Sequence, residues 1–110
     1  MIFLAMTFQE IQARALEIRK AYEAYEIEKY GKNWTREQVA EGLVGDVGDL
    51  MKLIQAKSGI RNIEDVDEKL AHELSDCLWC IIVLANKYDV ALEDAFIKTM
   101  SELETRIRGK

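Results

Sequence analysis

The 110-residue sequence contains no proline, only two cysteines and a single histidine. The absence of proline leaves long helices uninterrupted. Cys77 and Cys80 lie three positions apart in one apolar segment, so they cannot form a disulfide framework, and the further ligands of a zinc site are missing. We therefore interpret both cysteines as core residues. The histidine, His72, is expected to be a solvated side chain rather than a catalytic base.

Apolar runs long enough to cross a membrane are also missing. The N-terminal segment MIFLAM is apolar for six residues and has neither a basic flank nor a small-residue cleavage site. We therefore expect this segment to be neither a signal peptide nor a membrane span. We expect a cytoplasmic protein with no membrane partner.

Basic side chains are outnumbered, with 15 lysines and arginines against 20 aspartates and glutamates and a net charge of −5. This charge repels polyanions, which argues against a nucleic acid polymer as partner. Small anionic substrates remain accessible if metal ions intervene. The short chain predicts one domain over residues 1–110, and because such a chain buries only about 60–70% of its unfolded surface, oligomerisation is expected.

Apolar residues recur at three- and four-residue spacing, and no segment alternates with a period of two. This pattern predicts an all-α protein, a four-helix bundle completed by oligomerisation. Thr7 with Glu10 and Thr35 with Gln38 form capping boxes at the start of the first two helices. The predicted helices extend from Thr7 to about residue 30, from Thr35 to about Lys57, from a cap at Asp65 to near Lys87, and over roughly 92–108.

The apolar stripes predict which residues are buried. Tyr22 and Tyr25 continue the stripe of the first helix and are expected in the core. The third helix is apolar on every side from Cys77 to Ala85, so a partner subunit is expected to cover its second face, which carries Trp79, Ile82 and Val83.

Two acidic pairs stand beside these stripes. Asp46 and Asp49 lie three residues apart in the second helix, and Glu73 and Asp76 lie three apart in the third. Residues at this spacing share a helix face, so each pair projects together. Both pairs have apolar residues at the same offsets, which indicates that the four carboxylates converge near the core.

Four converging carboxylates need compensation, because burial of charge and repulsion between like charges each disfavour them. Oxygen ligands suit Mg²⁺ or Mn²⁺, and protein-bound Mg²⁺ commonly also binds substrate phosphates. The pattern therefore indicates a metal site for phosphate chemistry. The alternative is that the acids are solvated or paired with Lys52, Lys57 or Lys69.

Glycine occupies every third position of the second helix at Gly42, Gly45 and Gly48. Each glycine costs about 1 kcal/mol relative to alanine inside a helix. Close approach of a ligand or a catalytic helix would account for this cost, and so would tight packing between helices.

With these residues in view, LVGDVGDL at 43–50 and ELSD at 73–76 resemble the all-α nucleoside triphosphate pyrophosphohydrolases, the MazG-like superfamily. The dCTP-pyrophosphatase branch is the most similar. The metal motif of the family, E-x2-E followed after a spacer by E-x2-D, corresponds to Asp46, Asp49, Glu73 and Asp76. The resemblance covers roughly residues 34–106.

The resemblance implies a magnesium-dependent enzyme, with Mn²⁺ as an alternative ion, that cleaves a (d)NTP substrate to a monophosphate and pyrophosphate in house-cleaning of the nucleotide pool. It implies metal ligation by the four acids, with Glu73 as the catalytic proton acceptor, and a homodimer or a dimer of dimers. Candidate substrate-binding residues are Trp34, Lys52, Lys57 and Lys98, although Trp34 would equally serve as a hydrophobic staple.

The sequence also departs from the family. Both first-pair ligands are Asp rather than Glu, Ala56 stands where dCTP enzymes often have a stacking tryptophan, and Thr99 and Leu103 replace a phosphate-binding Lys and Asn. These departures favour a second hypothesis, a catalytically silent bundle that binds nucleotide or a protein partner. Release of pyrophosphate distinguishes the two.

Overall fold

The fold consists of helices joined by short loops. The computed structural model describes residues 5–109, and within this range it contains four helices and no strand. The helices are α1 (Phe8–Tyr30), α2 (Arg36–Lys57), α3 (Val66–Lys87) and α4 (Leu92–Arg108). The predicted all-α class and helix bounds are confirmed. The first four residues of the apolar N-terminal segment lie outside the described residues, and the single domain over 1–110 stays a prediction.

Both capping boxes form. The Thr7 hydroxyl accepts a hydrogen bond from the Glu10 backbone N–H, and the Glu10 carboxylate accepts from the Thr7 backbone N–H. Thr35 and Gln38 repeat the arrangement at the start of α2. Asp65 is the N-cap residue of α3, as expected, but it lies in the left-handed region (φ 53°) and its side chain makes no capping hydrogen bond.

The core lies where α3 packs against α2 on one side and α1 on the other. The buried apolar residues are Val39, Leu53, Cys77, Ile82, Val83 and Ala85. Tyr22 and Tyr25 are about half exposed, so the prediction that they belong to the core is wrong.

The second face of α3 is covered within the same protomer. Ile82 and Val83 are buried. The Trp79 ring packs against Tyr22 with centroids 5.7 Å apart, and its indole Nε1 donates to the Ala15 carbonyl at 3.0 Å. The prediction that a partner subunit covers this face is therefore wrong, because α1 covers it. Other apolar residues of α3 are left exposed, among them Leu74, Leu78 and Ile81.

The protomer has more surface than a compact chain of its size. Its radius of gyration is 17.1 Å, against about 13 Å expected for roughly 100 residues. Its accessible surface is 8783 Å², against about 6,200 Å² for a compact monomer of this mass. Helix α4 buries no residue and exposes an apolar stripe, made of Phe96, Ile97, Met100, Leu103 and Ile107. This surface favours the expected oligomer, which stays a prediction.

None of the helices within residues 5–109 combines the length and the apolarity needed to cross a membrane.

Candidate active site

Three carboxylates meet between α2 and α3. Oxygen atoms of Asp46, Asp49 and Glu73 lie within 4.8 Å of one another, close enough for one cation to contact all three. The three-residue spacing places both aspartates on the face of α2 that packs against α3, and Glu73 meets them from the opposite helix. We call these residues the carboxylate trio.

Asp76 lies outside the carboxylate trio. Its Oδ2 is 3.1 Å from Nε2 of His72, one turn earlier on α3. The His72 side chain is 71% exposed, which agrees with the expectation of a solvated histidine. The structure thus brings three of the four predicted metal ligands together and places the fourth beside a titratable partner.

Glu73 has a buried oxygen without a compensating partner, since its Oε2 forms no hydrogen bond. Burial raises the pKa of its carboxyl above the ordinary value, and the charge of Asp46 raises it further. An unpartnered buried oxygen surrounded by like charge requires a proton or a cation. The donor set, three carboxylates and no nitrogen or sulfur within the trio, fits a hard divalent cation.

Lysines do not provide this compensation. Lys52 Nζ is 3.9 Å from Asp49, but both side chains are more than half exposed, so the pair contributes little. Lys57 pairs with Asp67 instead, and Lys69 forms no ion pair within residues 5–109.

Cys80 extends the site on the α3 side. Its thiol donates a hydrogen bond to Asp46 Oδ2 at 3.5 Å. Burial and the Asp46 carboxylate together raise the pKa of the Cys80 thiol to about 11. Cys77 is buried, which confirms its interpretation as a core residue, whereas Cys80 is half-buried and touches the carboxylate trio.

A cavity of about 320 Å³ adjoins the carboxylate trio between α1, α2 and α3. We call it the aromatic cavity, because the rings of Tyr22, Trp34 and Trp79 line it. Its remaining lining residues are Arg19, Glu26, Val39, Gly42, Asp46, Asp76, Cys80 and Val83. Aromatic rings beside a carboxylate cluster suit a nucleobase whose phosphates reach the metal site.

Gly42 accommodates the Trp34 ring. A Cβ at this position would lie 3.2 Å from the ring, closer than an ordinary contact. Gly45 and Gly48 have no atom within 4 Å of such a Cβ. The group that approaches Gly42 is thus a tryptophan ring from the loop before α2, which is neither a ligand nor a second helix, and packing between helices of the described protomer accounts for neither Gly45 nor Gly48.

A second cavity of about 490 Å³ also borders the carboxylate trio and shares no lining residue with the aromatic cavity. Two members of the trio, Asp49 and Glu73, line this cavity. Its basic side chains are those of Lys52, Lys69 and His72. Its other lining residues are Leu53, Ile63, Asp65 and Glu68. The trio thus borders both cavities, through Asp46 on the aromatic cavity and through Asp49 and Glu73 on the second, whose lining mixes acidic and basic side chains.

Two candidate substrate-binding residues line neither cavity. Lys57 contacts Asp67 at 2.5 Å, and Lys98 lies 3.9 Å from Glu102 on the exposed surface of α4. Trp34 and Lys52 do line cavities, one each.

Sequence reasoning missed the contribution of α1. Arg19 and Glu26, seven residues apart, form a buried ion pair in the wall of the aromatic cavity. The sequence feature that could have indicated this pair is two opposite charges two turns apart on one face of α1, next to the apolar stripe that contains Tyr22.

An all-α fold with a carboxylate trio between two helices defines a class of protein, a helical bundle with a candidate divalent-metal site. A family model, the MazG nucleotide pyrophosphohydrolase domain, matches residues 34–108. The chain therefore belongs to this family, as its sequence resemblance predicts. Membership supports nucleotide pyrophosphohydrolase activity in general.

Individual proteins are also similar. The Gene 37 protein of Mycobacterium phage L5 is 33% identical over an alignment of 72 residues, and the alignment covers 62% of this chain and 62% of that protein. The chain thus spans less than two thirds of that relative. The crystal structure of the pyrophosphatase candidate YPJD from Bacillus subtilis matches with a TM-score of 0.64 and 22% identity, over 91% of this chain and 97% of that one. This likeness supports the fold.

Proposed function

We propose that the protein hydrolyses a nucleoside triphosphate between its α and β phosphates and releases a monophosphate and pyrophosphate. The observation that carries the proposal is the carboxylate trio, whose oxygens lie within 4.8 Å of one another beside an aromatic cavity. Membership of the MazG family supports the same chemistry. The narrower resemblance to the dCTP-pyrophosphatase branch stays a prediction.

Asp46, Asp49 and Glu73 would hold Mg²⁺, with Mn²⁺ as an alternative, and Asp76 would join them from its position beside His72. A divalent cation bound there would neutralise phosphate charge and polarise the reacting phosphorus centre. The buried, unpartnered Oε2 of Glu73 would accept the proton of the attacking water, since its raised pKa makes it a stronger base than an exposed carboxylate.

The two cavities suggest how the substrate lies. The base would enter the aromatic cavity and stack against Trp34 or Trp79. The phosphates would cross the carboxylate trio toward the second cavity, where the ammonium groups of Lys52 and Lys69 would offset part of the charge of the leaving pyrophosphate. Lys57 and Lys98 would play no part, because their ion partners and positions keep them on the surface.

The test is a panel of canonical and modified NTPs and dNTPs, incubated with the protein and Mg²⁺, with monophosphate and pyrophosphate measured separately. We expect both products in equal amounts, and none when EDTA removes the metal. Release of orthophosphate in place of pyrophosphate would contradict the proposed bond cleavage.

The alternative, a silent bundle that binds nucleotide or a protein partner, remains supported by the two aspartates at 46 and 49 and by Thr99 and Leu103. It would replace the proposal if no nucleotide released pyrophosphate and if Mg²⁺ with nucleotide did not raise the melting temperature.

A further inference from the structure

The loop between α1 and α2 carries Trp34 but has little backbone support of its own. In the part of the chain that the structure describes, residues 32–34 form no backbone–backbone hydrogen bond. The capping box at Thr35 fixes the chain only from that residue onward. The Trp34 ring lines the aromatic cavity, is half exposed, and lies against Gly42. The position of this ring therefore depends on side-chain contacts from outside the loop.

Two carboxylates of α1 make these contacts. Glu23 Oε2 accepts a hydrogen bond from the Asn33 side-chain amide at 2.8 Å. Glu26 Oε1 accepts from the Trp34 backbone N–H at 3.3 Å. Glu23 and Glu26 lie one turn apart on one face of α1, so they hold two consecutive residues of the loop.

The two carboxylates are themselves fixed by cations. Arg19 Nη2 donates to Glu26 Oε1 at 2.8 Å, and Lys87 Nζ, at the end of α3, lies 3.4 Å from Glu23 Oε1. All four side chains are less than a third exposed. The attraction within such ion pairs is largely cancelled by the cost of removing the charges from water, so fold stability is a weak reason for them. Hydrogen bonds to charged groups are short and directional, so the pairs do fix where the two carboxylates lie.

We propose that Glu23 and Glu26 are positioning residues, which hold Trp34 in place to stack on the base of the substrate. A ring that is fixed before the ligand arrives loses less conformational freedom on binding. Neither carboxylate has to touch the base, because both act through the loop. Their effect is confined to the base, since the phosphates bind at the carboxylate trio. The inference rests on the proposed function, because it concerns the base of the proposed nucleotide substrate.

The experiment compares ligands that have a base with one that has none. Deoxynucleoside triphosphates with an imido group between the α and β phosphates resist cleavage at that bond, so their binding needs no catalysis. Inorganic tripolyphosphate presents the phosphates alone. Calorimetric titration of the full chain in Mg²⁺ gives the Kd for the four common imido analogues and for tripolyphosphate.

Asn33→Asp is the decisive variant, because it keeps the shape of the side chain and places a second carboxylate opposite Glu23. The affinity for the tightest imido analogue should fall at least about fivefold, and the affinity for tripolyphosphate should stay within about twofold. Adding Glu23→Gln to this variant exchanges donor and acceptor and should restore most of the affinity. Lys32→Gln is the matched control, since it makes the same change in charge at an exposed position of the same loop. It should leave both affinities within about twofold.

Glu26 is tested by a second pair of variants. Glu26→Ala removes the acceptor of the Trp34 N–H and should reduce analogue affinity as Asn33→Asp does. Glu26→Gln keeps an oxygen that accepts from the same N–H, so its analogue affinity should stay within about twofold of the wild type.

Fluorescence reports the loop without any ligand. In a Trp79→Phe background, where Trp34 is the remaining tryptophan, acrylamide should quench its emission more efficiently in Asn33→Asp than in Lys32→Gln. A loop released from α1 exposes more of the ring to the quencher.

The outcomes separate this inference from the proposed function. An equal loss of affinity for imido analogues and tripolyphosphate, or no loss for either, would overturn the positioning role. Unchanged quenching in Asn33→Asp would overturn it as well. A selective loss of analogue affinity in a protein that releases no pyrophosphate from any triphosphate would overturn the proposed function and leave the positioning role standing. If Glu26→Ala does not fold, the comparison of Asn33→Asp with Lys32→Gln still decides.

Discussion

The thiol of Cys80 donates a hydrogen bond across the helix interface to Asp46 Oδ2, 3.5 Å away. The contact joins α3 to the carboxylate trio at the point where the trio meets the aromatic cavity. It occupies one acceptor position of Asp46 Oδ2. The contact also explains why this cysteine, unlike Cys77, is not simply a core residue.

Cys80 should react slowly with iodoacetamide near neutral pH in the metal-free protein. Its pKa is raised to about 11, so the thiol stays protonated until the solution is strongly alkaline, and the thiolate is the reactive form. Asp46→Asn removes a negative charge and should accelerate alkylation several-fold at mildly alkaline pH, although burial still limits the rate. Mass spectrometry locates the label. Asp67→Asn, at an exposed aspartate of α3, is the control, and wild-type alkylation as fast as that of free cysteine would contradict the assignment.

Glu73→Gln should separate function from stability. The substitution keeps the size of the side chain and removes a negative charge, so Mg²⁺-dependent turnover should fall by at least about 10²-fold. The melting temperature without metal should rise or stay level, because a buried, unpartnered oxygen surrounded by like charge is replaced by a neutral amide. Pyrophosphate release and thermal melting, with and without Mg²⁺, measure both effects.

Glu41→Gln is the matched control for this substitution, since Glu41 is exposed on α2 and lines neither cavity. It should change neither turnover nor the stabilisation by Mg²⁺. A Glu73→Gln protein with normal turnover and lower stability would instead indicate an ordinary surface carboxylate.

Gly42→Ala should displace the Trp34 ring. The added methyl group would lie 3.2 Å from the ring, which must shift by a few tenths of an ångström. In a Trp79→Phe background, where Trp34 is the remaining tryptophan, its emission should change and nucleotide affinity should fall. Gly48→Ala places the methyl group in open space, so it should leave the emission unchanged and stabilise α2 by up to about 1 kcal/mol. Identical emission in the two variants would contradict contact between Gly42 and Trp34.

Light scattering at micromolar concentration should show a homodimer or a dimer of dimers. The apolar stripe of α4 has no cover within the described protomer, and burial of such area drives association. Phe96→Glu combined with Met100→Glu should shift the protein toward monomer. Lys98→Glu adds a carboxylate to the charged side of α4 and should leave the assembly intact. A monomeric wild type would remove this prediction.

The helices could be predicted from the sequence because their signals are local. Thr7, Glu10, Thr35 and Gln38 cap backbone groups within three residues, and such contacts depend little on the rest of the fold. The N-cap position of Asp65 was also predicted, but its left-handed backbone and the missing capping hydrogen bond of its side chain could not be read from the sequence. The neighbour that covers each face of α3 could not be predicted either. A helix that is apolar on every side can pack against another helix of the same protomer or against a partner subunit.

The candidate site also has one part that the sequence predicts, the carboxylate trio, and one part that it does not, the aromatic cavity. The carboxylate trio follows from three-residue spacing on two helices that pack together, so the sequence was enough to predict it. The aromatic cavity required knowing that α1 crosses α3 near Trp79, which brings Tyr22 and Arg19 beside residues about sixty positions away. The mistaken core assignment of Tyr22 has the same origin, because an apolar stripe does not distinguish a packed face from the wall of a cavity.

Because the apolar stripe of α4 is exposed, the stability of that helix depends on whether another surface covers it. A 17-residue helix that buries none of its side chains is only slightly longer than isolated helices that are marginal in water. Amide hydrogens of α4 should therefore exchange with solvent much faster than those of α2 and α3 when the protein is dilute, and proteases should cleave there first. At concentrations that favour association, the same amides should become protected, so the last helix would report how much of the protein is assembled.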